Sequence, residues 1–358
     1  MSELKLRADL VGRTPYGAPQ LDVPVRLNVN ENPFPPSPEL VKAISDAVAQ
    51  AAQNLNRYPD RDAIELRKAL ASYLSAESIA AISWENIWPA NGSNEVMHHL
   101  LQAYGGPGRK LVTFAPTYSM YPDYCRETFT EYVEIERTAD FRIDQDAIDQ
   151  ALVHQPDIVV LCSPNNPTGT VLDFEVLEHL IQNFAGLIIV DEAYAEFRAA
   201  NVPSAVSLIA RHPNLVVTRT MSKAFSCAGL RLGYAVANPK VVSACQLVRL
   251  PYHLSAVTQA VALAALAHSD ELLGQVDLLR SERDELFLWF IEHGFLAAPS
   301  GANFILFGKF ADRDYVWEQL LHQGVLIRQS GPSEWLRVSI GTPEENEKFR
   351  KALLSINL

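Results

Sequence analysis

Asp157 to Val190 reads DIVVLCSPNNPTGTVLDFEVLEHLIQNFAGLIIV. Its two apolar runs, Asp157 to Cys162 and Leu187 to Val190, have the length and unbroken hydrophobicity of strands buried on both faces. Between them, Phe174 to Phe184 repeats its apolar residues at helical spacing. A strand, a crossover helix and a second strand form a unit whose strands lie parallel, so this stretch predicts an α/β fold around a mainly parallel sheet.

Lys110 to Phe114 and Leu215 to Thr218 are further strands of the same kind. Beyond about Ser255 the pattern changes to a long apolar helix (SAVTQAVALAALA), a helix over Arg280 to His293, and strands near Phe304 to Phe307 and Val325 to Arg328. A last strand, WLRVSI, runs into Thr342-Pro343-Glu344-Glu345, which combines an N-cap, a proline at the first helical position and a capping-box glutamate. The opening forty residues, rich in Pro and Asn (NENPFPPSP), predict an extended arm. The expected organisation is an arm over 1–40 that joins the small domain, a large domain over 41–255 that holds the ligand, and a small α+β domain over 256–358. There is no internal repeat.

The chain has 358 residues, of which 48% are hydrophobic and 20% charged, the composition of a folded globular protein. Thirty Lys+Arg against 42 Asp+Glu leave a net charge of −12, which disfavours a general role on nucleic acid or anionic membrane but permits local basic pockets. Four cysteines without a CxxC pair and nine histidines without HExxH predict no metal site and a reducing, cytoplasmic setting. The first residues, MSELKLRADLVG, lack a long apolar region, and no apolar run is long enough to span a bilayer, so neither secretion nor membrane insertion is expected.

Polar residues gather where strands end: Asn91 to Glu95, Asn165 to Gly169, Asp191 to Tyr194, and Ser222-Lys223 followed by Arg231. In open α/β sheets, ligands bind beyond the carboxyl ends of the strands, so one crevice can collect all four segments. Each segment alone has an ordinary alternative. Gly92, Ser93 and Asn94 open a helix whose first amides can bind phosphate, or they form a plain N-cap. Asp191 follows four apolar residues and needs a cationic partner, which can be a ligand or a structural ion pair. Lys223 is a nucleophile towards an aldehyde if burial lowers its pKa, and otherwise a surface lysine. Together, a phosphate-binding helix start, a buried Asp, a phenol, an Asn and a Ser-Lys pair with a trailing Arg meet the demands of pyridoxal phosphate.

The order Asn166, Asp191, Lys223, Arg231 resembles the fold-type I, class II aminotransferases over nearly the whole chain. Within them, RTPYGAP, LNVNENPFPPSP, NRYPD, RTMSKAFSCAGLRLGY, RLPYHLSAVTQA and LIRQSGPSEWLRVSIGTPEEN resemble the histidinol-phosphate aminotransferase family. The sequence departs from that family at Val29, where Thr is common, and in a short linker between Arg328 and Arg337. The resemblance implies a homodimer acting on histidinol phosphate and 2-oxoglutarate, with glutamate as a product. It implies that Lys223 carries the cofactor and moves the substrate proton, and that Asp191 faces the ring nitrogen. Asn166 and Tyr194 would serve the ring oxygen, Tyr118 the ring face, and Gly92, Ser93, Asn94, Ser222 and Arg231 the phosphate. Tyr16, Tyr58, Tyr252, Arg328 and Arg337 become the substrate-binding candidates, with Tyr58 reaching the site of the other subunit. Aromatic-amino-acid aminotransferases and threonine-phosphate decarboxylases share much of this pattern and are the alternatives. A cofactor-binding regulator would need a basic DNA-binding domain for which the chain has no room.

Overall fold

A computed structural model describes residues 4–15, 17–78 and 80–357. The strands are β1 (Val25–Arg26), β2 (Ile87–Ala90), β3 (Lys110–Ala115), β4 (Glu131–Glu136), β5 (Ile158–Cys162), β6 (Leu187–Asp191), β7 (Leu215–Thr220), β8 (Gly233–Ala237), β9 (Leu296–Ala297), β10 (Phe304–Gly308), β11 (Val325–Leu326) and β12 (Trp335–Ser339). Seven of them form one sheet in the order β2-β8-β7-β6-β5-β3-β4. Only β8 runs against the other six.

Side chains alternate across each strand and bury two faces. Ile158, Val160, Leu187, Ile189 and Val216 pack on one side with α3 (Gly92–Tyr104), α4 (Tyr121–Thr128) and α7 (Pro239–Val248). Val159, Leu161, Ile188, Val190 and Val217 pack on the other with α2 (Ile64–Ser78), α5 (Gln145–Val153), α6 (Phe174–Asn183) and α8 (Ala256–Ala267). This double coverage explains the continuous apolar runs in β5 and β6.

Because six strands are parallel, Ala90, Ala115, Cys162, Asp191 and Thr220 all end at one edge of the sheet. The antiparallel β8 enters at that same edge, since Gly233 is in register with both Thr220 and Ala90. Segments that follow β2, β3, β5, β6 and β7, and the one that precedes β8, therefore meet there.

The C-terminal part holds a second, antiparallel sheet in the order β12-β10-β9. β1, from the N-terminal segment, pairs in parallel with β11, Val25 opposite Val325. The Leu27 carbonyl then accepts from Ser339 N–H (2.9 Å), which sews the N-terminal segment between β11 and β12. The segment expected as a strand over Val325 to Arg328 shortens to β11, and Arg328 continues only as a backbone bridge to Arg337. The helix expected over Arg280 to His293 is the second half of a longer one, α9 (Ser269–Glu292). The helix α11 (Pro343–Leu354) has the anticipated capping box, Thr342 N–H donating to Glu345 Oε2 at 2.9 Å and Glu345 N–H to Thr342 Oγ1 at 3.3 Å. Among the described residues, no helix is long and apolar enough to cross a membrane.

Candidate active site

A cavity opens at the edge where the strands end. Ser93, Asn94, Tyr118, Asn166, Asp191, Tyr194, Ser222, Lys223, Arg231, Arg328 and Arg337 all line it, so the fold brings together most of the residues singled out from the sequence. Four of these are cations and one, Asp191, is a carboxylate, which makes the cavity basic within an acidic chain.

Lys223 sits half-buried just beyond β7, and its Nζ donates to the Val29 carbonyl at 2.9 Å. Burial is the main cause that lowers its pKa from 10.5 to about 8; Arg337 and Arg231 push the same way, and Glu31 opposes them. The departure at Val29 thus leaves the contact intact, because it uses only the backbone carbonyl.

Asp191 is buried at the end of β6 on the face shared with Tyr121, whose hydroxyl donates to Oδ2 at 2.8 Å. Thr218, in register on β7, donates to Oδ1 at 3.0 Å. Burial raises the pKa of Asp191 and the two hydroxyls oppose that rise. No lysine or arginine among the described residues pairs with it, so the structural ion-pair alternative does not hold and the carboxylate still lacks a counter-charge. The next residue, Glu192, points to the opposite face of the sheet, where it meets the fully buried Arg219 (Nε to Oε2, 2.9 Å).

The first turn of α3 has no side-chain cap. Asn91 Nδ2 instead donates to Glu95 Oε2 and to the His253 carbonyl, both at 2.8 Å. That removes the plain N-cap alternative and leaves Ser93 and Asn94 at the cavity wall. Gly92 has φ +83°, and a Cβ there would lie 2.7 Å from Arg231 Nη2; a Cβ on Gly233 would lie 2.1 Å from Ser93 N. Glycine at both positions lets the helix start, the head of β8 and the guanidinium crowd together. Arg231 Nη1 donates to Ser222 Oγ (3.3 Å), which also accepts from Thr220 Oγ1 (3.0 Å). Amides, hydroxyls and a guanidinium on one small patch form an anion cradle.

Tyr194 is buried, and its oxygen receives Asn30 Nδ2 at 3.0 Å and Asn166 Nδ2 at 3.3 Å. Burial pushes the phenol up to about 12, against the pull of Arg337 and the Asn30 hydrogen bond. Tyr118 stands at the cavity wall, edge-on to Tyr121 with ring centres 5.6 Å apart. Arg337, on β12, donates to Asn166 Oδ1 and to the Asn28 carbonyl (2.9 Å), with its guanidinium 5.1 Å from the Phe304 ring. Arg328 is held beside it by reciprocal backbone bonds of 3.0 and 2.9 Å. The Arg328 guanidinium has no hydrogen-bond or carboxylate partner among the described residues.

The sequence profile described as aminotransferase class I and II matches residues 23–353. This chain is a class I and II aminotransferase. The aminotransferase is 58% identical to histidinol-phosphate aminotransferase of Thermobifida fusca, over 99% of this chain and 96% of that protein. It is 54% identical to histidinol-phosphate aminotransferase 3 of Burkholderia lata, again over 99% and 96%. Among solved structures, histidinol-phosphate aminotransferase of Sinorhizobium meliloti in complex with pyridoxal-5′-phosphate matches with a TM-score of 0.83 at 25% identity, covering 93% of this chain and 90% of that one.

Two of the substrate-binding candidates of the aminotransferase are not gathered into the cavity. Tyr58 and Tyr252 stack on each other at its outside, with centroids 4.3 Å apart and planes 13° apart, and neither lines the cavity of this chain. Tyr16 lies outside the described residues. Conversely, Asn28 and Asn30 line the cavity and were not singled out from the sequence, where LNVNENP signals only an extended arm; Val29, noted there only as a departure, lines it as well. Tyr121 and Thr218 were missed as well; Tyr121 opens α4 and Thr218 lies within β7, and neither position carries a mark of the site in the sequence.

Proposed function

We propose that this aminotransferase carries pyridoxal 5′-phosphate and moves the amino group of L-histidinol phosphate to 2-oxoglutarate, giving imidazole acetol phosphate and L-glutamate, in histidine biosynthesis. The supporting observation is a basic cavity in which one arginine, Arg231, belongs to an anion cradle beside Lys223 while a second pair, Arg328 and Arg337, stands apart from it on the C-terminal sheet. That leaves guanidinium for a second anion, the substrate's phosphate or a carboxylate of the acceptor. The names of the full-length relatives agree with this substrate.

The residues fit the cofactor: Asp191 is a buried carboxylate without a cation among the described residues, and Gly92 and Gly233 keep Cβ atoms out of the anion cradle. Pyridoxal phosphate, when bound, supplies a carbonyl carbon for the substrate amine and a protonated ring that withdraws electrons from the substrate Cα. Ser93, Asn94, Ser222, Arg231 and the Gly92 amide hold its phosphate. Asp191 supplies the negative charge that keeps the ring nitrogen protonated, and Tyr121 and Thr218 fix that carboxylate in place. Asn166 and Tyr194 donate to the ring oxygen, and Tyr118 lies against the ring face. Lys223 Nζ would hold the cofactor through its carbonyl carbon and, once displaced by the substrate amine, would take the proton from the substrate Cα and deliver it to that cofactor carbon. Its lowered pKa lets Nζ lose and regain a proton close to neutrality.

We further divide the chain into the large domain 41–255 and a small domain of 256–358 with the arm, a division that the pairing of β1 with β11 supports. Leu55, Tyr58, Leu247, Leu250 and Tyr252 are exposed on one chain, which suits burial against a second copy, with Tyr58 of the partner subunit serving each site. Four free, buried cysteines suit a reducing cytoplasm. The test is product identity: glutamate should form from 2-oxoglutarate with histidinol phosphate far faster than with phenylalanine or tyrosine. Preference for phenylalanine, or carbon dioxide released from threonine phosphate, would overturn the assignment.

A further inference from the structure

The segment Asn28–Asn30 contacts three of the cavity's polar side chains. The Asn28 carbonyl accepts from Arg337 (2.9 Å), the Val29 carbonyl from Lys223 (2.9 Å), and the Asn30 side chain donates to Tyr194 (3.0 Å). Asn30 is buried and has φ 57°, a left-handed conformation that Asn tolerates better than most residues. Its side chain is fixed by a clamp. Ser339 Oγ accepts the Asn30 backbone N–H (2.9 Å) and donates to Asn30 Oδ1 (2.9 Å), so Nδ2 can only face Tyr194. The Asn30 carbonyl in turn accepts from the buried Asn303 (3.0 Å).

A phenol oxygen has one hydrogen to give and a small capacity to accept. With Asn30 and Asn166 both donating to Tyr194, the acceptor side of that oxygen is occupied from within the protein. Its O–H is left to point into the cavity. We propose that Asn30 is a positioning residue, locked by Ser339, that fixes Tyr194 as a hydrogen-bond donor towards the ring oxygen of the bound cofactor. This rests on the cofactor reading above. The charged and titratable groups around Tyr194 are Arg337, Asp191, Cys162 and Lys223.

The test is a pH titration of the visible absorbance of the holoenzyme. A donor to the ring oxygen favours its anionic form, so loss of the donor raises the titration midpoint. Asn30→Asp keeps the size and the tolerance for the left-handed backbone but turns the donor into an acceptor that draws the Tyr194 O–H out of the cavity. Its midpoint should rise by about one pH unit or more, towards that of Tyr194→Phe, and in a Tyr194→Phe background it should add nothing. Ser339→Ala, which unlocks the amide without touching Tyr194, should raise the midpoint in the same direction by less. The proposal is overturned if both variants bind cofactor and titrate like wild type while Tyr194→Phe does not. It is equally overturned if Asn30→Asp shifts the midpoint as much without Tyr194 as with it, because the effect is then that of charge alone. A wild-type protein with no visible band would strike down the cofactor reading itself, a result distinct from either of these.

Discussion

Replacing Arg328 by leucine removes a guanidinium that the protein does not use internally. It has no side-chain partner among the described residues, and the backbone bonds to Arg337 (3.0 and 2.9 Å) survive any side chain. Folding stability should therefore change little, within about 0.5 kcal/mol, as for a substitution away from any buried network. What is lost is a charge-assisted contact to the substrate phosphate, worth roughly 1.5–3 kcal/mol. At about 1.4 kcal/mol per tenfold, kcat/KM for histidinol phosphate should fall roughly 10- to 150-fold. Histidinol, which lacks the phosphate, should lose almost nothing. Arg337→Leu provides the contrast. Arg337 also serves Asn166 and the Asn28 carbonyl, so its removal strands buried polar groups and should weaken both substrates and the fold. Steady-state kinetics on the two amines, with a denaturant melt of each variant, separates these cases. Equal losses on histidinol and histidinol phosphate in Arg328→Leu would refute the phosphate role.

Asp191→Asn can accept from only one of the two hydroxyls and should lose about 100-fold or more in kcat with cofactor still bound, since a neutral amide cannot hold the ring proton; turnover near wild type would contradict this. Arg219→Leu should cost about 3–5 kcal/mol in equilibrium denaturation, because it leaves the buried Glu192 and Glu196 without their cation and Glu77 with Arg198 alone. In the cofactor-free protein, Lys223→Met should melt above wild type at pH 7. The folded state holds Lys223 at about 8 against 10.5 unfolded, so wild-type stability rises with pH between those values and the gap should narrow as pH climbs through that window. A gap that widens instead would mean Lys223 is not burdened by its burial.

Asp191 and Lys223 are legible in the sequence because each follows an apolar strand, where a charge has no cheap neighbour. Their side chains reach one cavity only because six strands run parallel, and the DIVVLC and LIIV runs announce that parallelism. Arg231 and Gly92 are legible as types but not as a pair; their contact depends on β8 running backwards into the same edge, and GYAVA carries no mark of direction. Asn30 is illegible for a related reason. Its partners Tyr194, Ser339 and Asn303 lie far along the chain, and nothing in NENP distinguishes a buried left-handed residue from a loop asparagine. The strand expected at Val325 ends at Leu326, and Arg328, which lines the cavity, keeps only a single bridge to Arg337. Tyr58 and Tyr252 read as polar and aromatic turns, and a single chain leaves both at its surface.

Whether this cavity accepts a phosphorylated amine and takes its amino group is decided by a single-turnover experiment. The holoenzyme is mixed, without 2-oxoglutarate, with histidinol phosphate, phenylalanine, tyrosine or threonine phosphate in turn, and the loss of its visible absorbance is followed in time. Histidinol phosphate should bleach it rapidly, at a rate well above that of every other donor, and Lys223→Ala should show no bleaching. Faster bleaching by phenylalanine or tyrosine, or none with histidinol phosphate, would contradict this.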